Sequence, residues 1–187
     1  DVDGFHIRTM LLTMLYRLTP DLIEQNKVFI EIGRLCYDEN RDNPAESYAP
    51  LFDELKAMGL KIAVFSNKPD EFAGKVCTAL FGDRFDLVAG NRPGIPVKPD
   101  PAGLFLALEK LGVTPEECVY CGDSCVDMDT GKNAGILTVG VEWGFRDRKE
   151  LEEHDACYIL QSPSQLPDLL RRLMNFFWTP YGRGGCQ

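Results

Sequence analysis

Four short stretches of the chain carry residues suited to polar chemistry. They are Asp1-Val2-Asp3-Gly4, Ser66-Asn67-Lys68-Pro69, Lys98-Pro99-Asp100-Pro101 and Gly122-Asp123-Ser124, the last with Asp127 four residues beyond Asp123. Carboxylates such as these are the hard oxygen ligands that divalent cations take. A net charge of −9 is compatible with a site that gathers carboxylates around such a cation. Taken singly, each stretch also has a plainer reading. Asp-x-Asp-Gly is more often a turn, Ser-Asn after a strand is usually a helix cap, and Lys-Pro is usually surface. Asp123 or Asp127 could merely favour the N-terminus of the following helix.

What positions these residues is legible from periodicity. Tyr48 to Met58 has helical apolar spacing and stops at Gly59, and Lys61-Ile-Ala-Val-Phe65 is a short apolar run that predicts a strand covered on both faces. Asp70–Leu80 follows as helix and Phe85–Ala89 as strand. Pro101–Leu111 is a helix closed by Gly112, with Asp100 placed as its cap. Strand Cys118–Cys121, helix Asp127–Ala134 and strand Ile136–Val139 come next. A charged helix at Arg148–Glu153, a strand at Ala156–Leu160 and a last helix to about Phe177 complete the series. Strands alternating with helices predict an α/β fold, a doubly wound parallel sheet whose ligands bind beyond the carboxyl ends of the strands. The four polar stretches fall near such ends.

Residues 5–47 read differently, as helices over His6–Leu18 and Pro20–Tyr37 with a polar linker at Asp38–Pro44. They form a small helical cap inserted between the first motif and an α/β core of residues 1–4 and 48–178, with residues 179–187 a flexible tail.

At 187 residues the chain fits one compact domain. No stretch is apolar enough to span a bilayer, the acidic start argues against a signal peptide, and the net negative charge argues against nucleic-acid binding. The seven cysteines, an odd number scattered through apolar segments, suit reduced thiols in a cytoplasm. Cys118 and Cys121 form a C-x-x-C, but a strand sends residues three apart to opposite faces, so no metal pair is expected there.

In this order and near these strand ends, the four stretches resemble the motifs of the haloacid dehalogenase-like (HAD) superfamily. The segment from Val119 through Arg146 is similar to its phosphoglycolate phosphatase branch. The resemblance implies a Mg²⁺-dependent phosphatase acting on a small phosphorylated metabolite, with 2-phosphoglycolate the leading substrate. A phosphate monoester repels an attacking carboxylate unless its charge is offset, which explains the residue types. By resemblance, Asp1 is the nucleophile that forms an aspartyl-phosphate, and Asp3 protonates the leaving group and then activates water. Asp1, the Asp3 carbonyl and Asp123 hold the Mg²⁺. Ser66 and the backbone amides near Asn67 bind the phosphoryl group, and Lys98 neutralises charge on it. Asp127 orients Lys98 or a metal-bound water. Arg8, on the cap, is placed to contact the substrate's leaving group. Asp3 favours phosphoryl chemistry over carbon–halogen cleavage.

The chain departs from the family's pattern at its start. No apolar strand precedes Asp1, and Phe5-His6-Ile7 stands where the family has Thr-Leu running into a helix, so the cap is expected to be truncated or incomplete. Alternatives that stay open are an inactive HAD-like binding module, a pyrophosphatase and a sugar-phosphate mutase. A monomer or homodimer is expected. Trp143 and Phe145 are expected to pack, and His6 and His154 receive no role.

Overall fold

The computed structural model describes residues 44–144 and 146–176. Asp1, Asp3, Arg8, Phe145, nearly all of the expected cap and the tail lie outside the described residues. Helix α1 spans Pro44–Ala57, strand β1 Ala63–Pro69, helix α2 Asp70–Phe81 and strand β2 Leu87–Asn91. Then come α3 (Ala102–Leu111), β3 (Val119–Gly122), α4 (Cys125–Asn133), β4 (Leu137–Val141), α5 (Arg148–Glu153), β5 (Tyr158–Leu160) and α6 (Leu166–Phe176).

Strands β1 and β3 are apolar on both sides because each faces two cores. Ile62 and Val64 pack into one cluster with α1, α2 and α6, whereas Ala63 and Phe65 pack into the other, with α3. Strand β3 repeats the pattern, sending Val119 and Cys121 to the first cluster and Tyr120 to the second. The first core takes the α1 stripe Tyr48, Leu51, Phe52 and Leu55, spaced for one helix face, together with Phe81. Phe52 meets Phe81 and Phe85 edge-to-face at 5.5 and 5.4 Å, a favoured aromatic geometry.

All strand pairs are parallel, β1 with β2 and β3 with β4 with β5, giving sheets of two and three strands among the described residues. The α/β expectation is met. Two boundaries differ from the sequence reading. Helix α1 begins at Pro44, inside the expected linker, since proline suits a first helical position. Strand β1 runs on to Pro69 because the ladder resumes at Pro69↔Asn91 after an irregularity beyond Phe65, so Ser66 and Asn67 stand within the strand. The cap position of α3 falls to Pro101 rather than Asp100, which stands one residue earlier with its Oδ1 accepting from the Ala102 N–H at 2.9 Å.

Cys77, Cys118, Cys121 and Cys125 are free thiols, and Cys118 lies in the opposite core from Cys121, as strand alternation requires. Cys157 is the exception to the expected reduced set, being disulfide-bonded.

Candidate active site

The carboxyl ends of β1 and β3 bring together most of the described motif residues. Ser66 is buried in β1, and its Oγ accepts from the Lys68 N–H at 3.2 Å. Asn67, next in the strand, turns its side-chain amide to the backbone of Lys98. The Asn67 Oδ1 accepts from the Lys98 N–H at 2.9 Å, and its Nδ2 donates to the Lys98 carbonyl at 3.4 Å.

That clamp fixes where Lys98 enters the interior. Its ammonium donates to Asp127 Oδ1 at 2.8 Å and lies 5.7 Å from the centre of the Phe65 ring. Both side chains of the ion pair are essentially inaccessible, at 1% for Lys98 and 0% for Asp127. Burial pushes the Lys98 ammonium below its ordinary pKa, opposed by the charges of Asp127 and Asp123.

Asp127 is committed on its other oxygen as well. Its Oδ2 accepts from the Ser124 hydroxyl at 2.7 Å and from the Asp123 N–H at 3.2 Å. Of the two partners expected for Asp127, the geometry supplies Lys98. Gly122 permits this packing, since a Cβ there would stand 2.5 Å from the Asp127 Cγ. Helix α4 is anchored at its start by the same group of residues: Ser124 is its cap, and Glu150 Oε1 of α5 accepts from the Cys125 N–H at 3.0 Å.

Asp123 is buried at 1% exposure beside this array. A buried carboxylate at a strand end suits a hard cation such as Mg²⁺. Among the described residues no group of three or more His, Cys, Asp or Glu gathers to hold a metal. Asp123 thus fits as one ligand, and the further ligands assigned by resemblance, Asp1 and Asp3, lie outside the described residues. A cleft of about 180 Å³ opens against Phe65, Ser66 and Asn67, with Ile95 and the cations Arg92 and Lys110 on its far wall.

Outside these motifs, Trp143 packs against the first core as expected, whereas Arg146 is exposed and 3.6 Å from Glu150. Two features escaped the sequence reading. The clamp by the Asn67 side chain has no local signal, because an Asn after an apolar run looks like a cap. The Glu150 anchor joins residues 25 apart and leaves no periodic trace. Among the described residues no helix is long and apolar enough to cross a membrane.

Comparison with known proteins places this geometry in context. The family model described as haloacid dehalogenase-like hydrolase matches residues 11–135. A phosphoglycolate phosphatase of Aquifex aeolicus is 32% identical over 146 residues, covering 76% of this chain and 67% of that protein. The pyrophosphatase PpaX of Bacillus mycoides is 34% identical over 146 residues, covering 74% of this chain and 68% of its own. A solved structure of a candidate phosphoglycolate phosphatase from Lactobacillus delbrueckii subsp. bulgaricus is 36% identical with a TM-score of 0.62, covering 65% of this chain and 51% of that one. The chain spans as little as 42% of the length of a curated relative and about half of that solved structure.

Proposed function

Because the chain belongs to the haloacid dehalogenase-like hydrolase family, we propose that it is a Mg²⁺-dependent phosphatase of a small phosphorylated metabolite, with 2-phosphoglycolate as leading substrate. The observation that carries this reading is the buried array Asn67–Lys98–Asp127 at the strand ends, next to Ser66 and Asp123. A dianionic phosphoryl group meeting a carboxylate nucleophile needs fixed positive charge and hydrogen-bond donors. Lys98 supplies the charge, and its pair with Asp127 holds the ammonium in place without solvent. Ser66 supplies a hydroxyl donor at the end of β1.

In this reading Asp1 attacks phosphorus, forming an aspartyl-phosphate as the alkoxide departs, and Asp3 gives that alkoxide its proton. Asp3 then takes a proton from the water that hydrolyses the acyl phosphate. Bound Mg²⁺, held by Asp1, the Asp3 carbonyl and Asp123, would offset charge on the phosphoryl oxygens. Arg8 contacts the leaving group from the cap formed by residues 5–47. A cytoplasmic monomer or homodimer completes the proposal.

The test is phosphate release from p-nitrophenyl phosphate and from 2-phosphoglycolate, with and without EDTA, in wild type and Asp1→Asn. Release that needs Mg²⁺ and is lost in Asp1→Asn is expected. Turnover indifferent to both changes refutes the mechanism, and no turnover of any substrate favours the inactive binding module. The 34% identity to pyrophosphatase PpaX supports a second reading. Faster release from inorganic pyrophosphate than from 2-phosphoglycolate would select it.

A further inference from the structure

We propose that Gly144 is a positioning residue that sets where the Asp123 carboxylate stands, and thereby the affinity of the chain for its divalent cation. The proposal rests on the metal role assigned to Asp123 above. A Cβ at position 144 would stand 2.5 Å from the Asp123 Cγ and closer still to its Cβ and Oδ2. Real Cβ atoms do not approach so closely, so any side chain at 144 displaces one of the two partners. Gly144 is not required by backbone conformation. Among the described residues the glycines at positive φ are Gly59, Gly82, Gly94, Gly112 and Gly135, and Gly144 is not one of them. Space against Asp123 is therefore the reason for glycine here.

Which partner yields is decided by how the loop after β4 is held. The Glu142 N–H donates to the Leu160 carbonyl of β5 at 2.9 Å, and the Trp143 ring packs against the first core. These contacts hold the loop on the N-terminal side of Gly144. Asp123 is held at its N–H by Asp127, but its carboxylate is the end of a rotatable side chain. The closest approach of all, however, is to the Asp123 Cβ, which no rotamer change moves, so a methyl at 144 shifts the Asp123 backbone or the loop, and either shift carries the carboxylate out of place. Loss of a group that orients a metal ligand costs about 10–100-fold in metal affinity.

The experiment compares wild type, Gly144→Ala and Gly144→Ala/Asp123→Gly by titration calorimetry with Mg²⁺ alone and by melting with Mg²⁺ plus beryllium fluoride. In parallel, phosphate release is followed as a function of Mg²⁺ concentration. Gly144→Ala is expected to weaken Mg²⁺ binding at least tenfold and to raise the half-activating Mg²⁺ concentration equally, with most of kcat regained at saturation. Its melting temperature without metal is expected to be lower than wild type and to recover in the double variant, where the clash is gone. Mg²⁺ affinity within twofold of wild type in Gly144→Ala overturns the proposal. If Gly144→Ala does not fold, failure of the double variant to fold overturns it and recovery supports it. Wild type that neither binds nor responds to Mg²⁺ overturns both this inference and the metal-dependent reading beneath it.

Discussion

The side-chain amide of Asn67 brackets the backbone of Lys98, accepting from its N–H at 2.9 Å and donating to its carbonyl at 3.4 Å. The two residues are 31 apart in sequence, so strand β1 sets the position of a lysine that no regular element holds. Asn67→Ala is expected to lower kcat for phosphate release by about 100-fold, the scale of an ångström-sized misplacement of a reacting group. The protein should remain folded by circular dichroism. A kcat within threefold of wild type would show that Lys98 is positioned without the clamp.

Asp127 tests the other end of the same array. Lys98 and Asp127 are both sealed from solvent, so removing only the carboxylate strands a buried charge. Asp127→Ala is expected to cost about 3–5 kcal/mol in urea denaturation. The double variant Lys98→Met/Asp127→Leu should regain most of that stability while remaining without phosphatase activity. Double-variant stability no better than Asp127→Ala would show that the loss lies elsewhere.

Two glycines should respond in opposite directions. A Cβ at Gly90 would meet the Lys68 carbonyl oxygen at 2.6 Å and the Asp70 nitrogen at 2.7 Å, both backbone atoms that no rotamer change can move. Gly90→Ala is expected to destabilise by about 3 kcal/mol. Gly74, inside α2, has nothing within 4 Å of a built Cβ, and Gly74→Ala should stabilise by about 0.5–1 kcal/mol. Chemical denaturation of both variants reads the two effects, and a Gly90→Ala protein as stable as wild type would count against the close crossing of β2 under the start of α2.

His154 provides a pH dependence. Its Nδ1 lies 2.9 Å from Asp129 Oδ1, and that hydrogen bond, with the carboxylate charge, raises the imidazole above its ordinary value of 6.5. A raised folded pKa means that the folded state holds the proton more tightly. The stabilisation is therefore full below the unfolded histidine value and is lost as pH rises through the folded one. The melting-temperature difference between wild type and Asp129→Asn should be largest on the acid side and close at higher pH. An imidazole NMR titration midpoint unchanged in Asp129→Asn would contradict this pairing.

The order of elements was legible because the strands are built on apolar runs between turns, and β1 and β3 face a core on both sides. The ends were less so. Ser66 to Pro69 are polar or proline, and only the partner strand at Asn91 draws Pro69 into the ladder. In the site, residue type and strand-end placement were enough to nominate Ser66, Lys98, Asp123 and Asp127. The clamp by Asn67 and the contact of Gly144 with Asp123 were not legible, because each depends on a tertiary approach between segments separated by more than twenty residues.

Within the described chain the two parallel sheets exchange no strand hydrogen bonds with one another. At their carboxyl ends they are tied through Asn67 of β1, Lys98, and Asp127 just beyond β3. Parting the ammonium from the carboxylate while both stay buried would cost several kcal/mol. The ion pair thus adds a directional polar tie to the apolar core that the two sheets share, with Val64 of β1 and Val119 of β3 in one cluster.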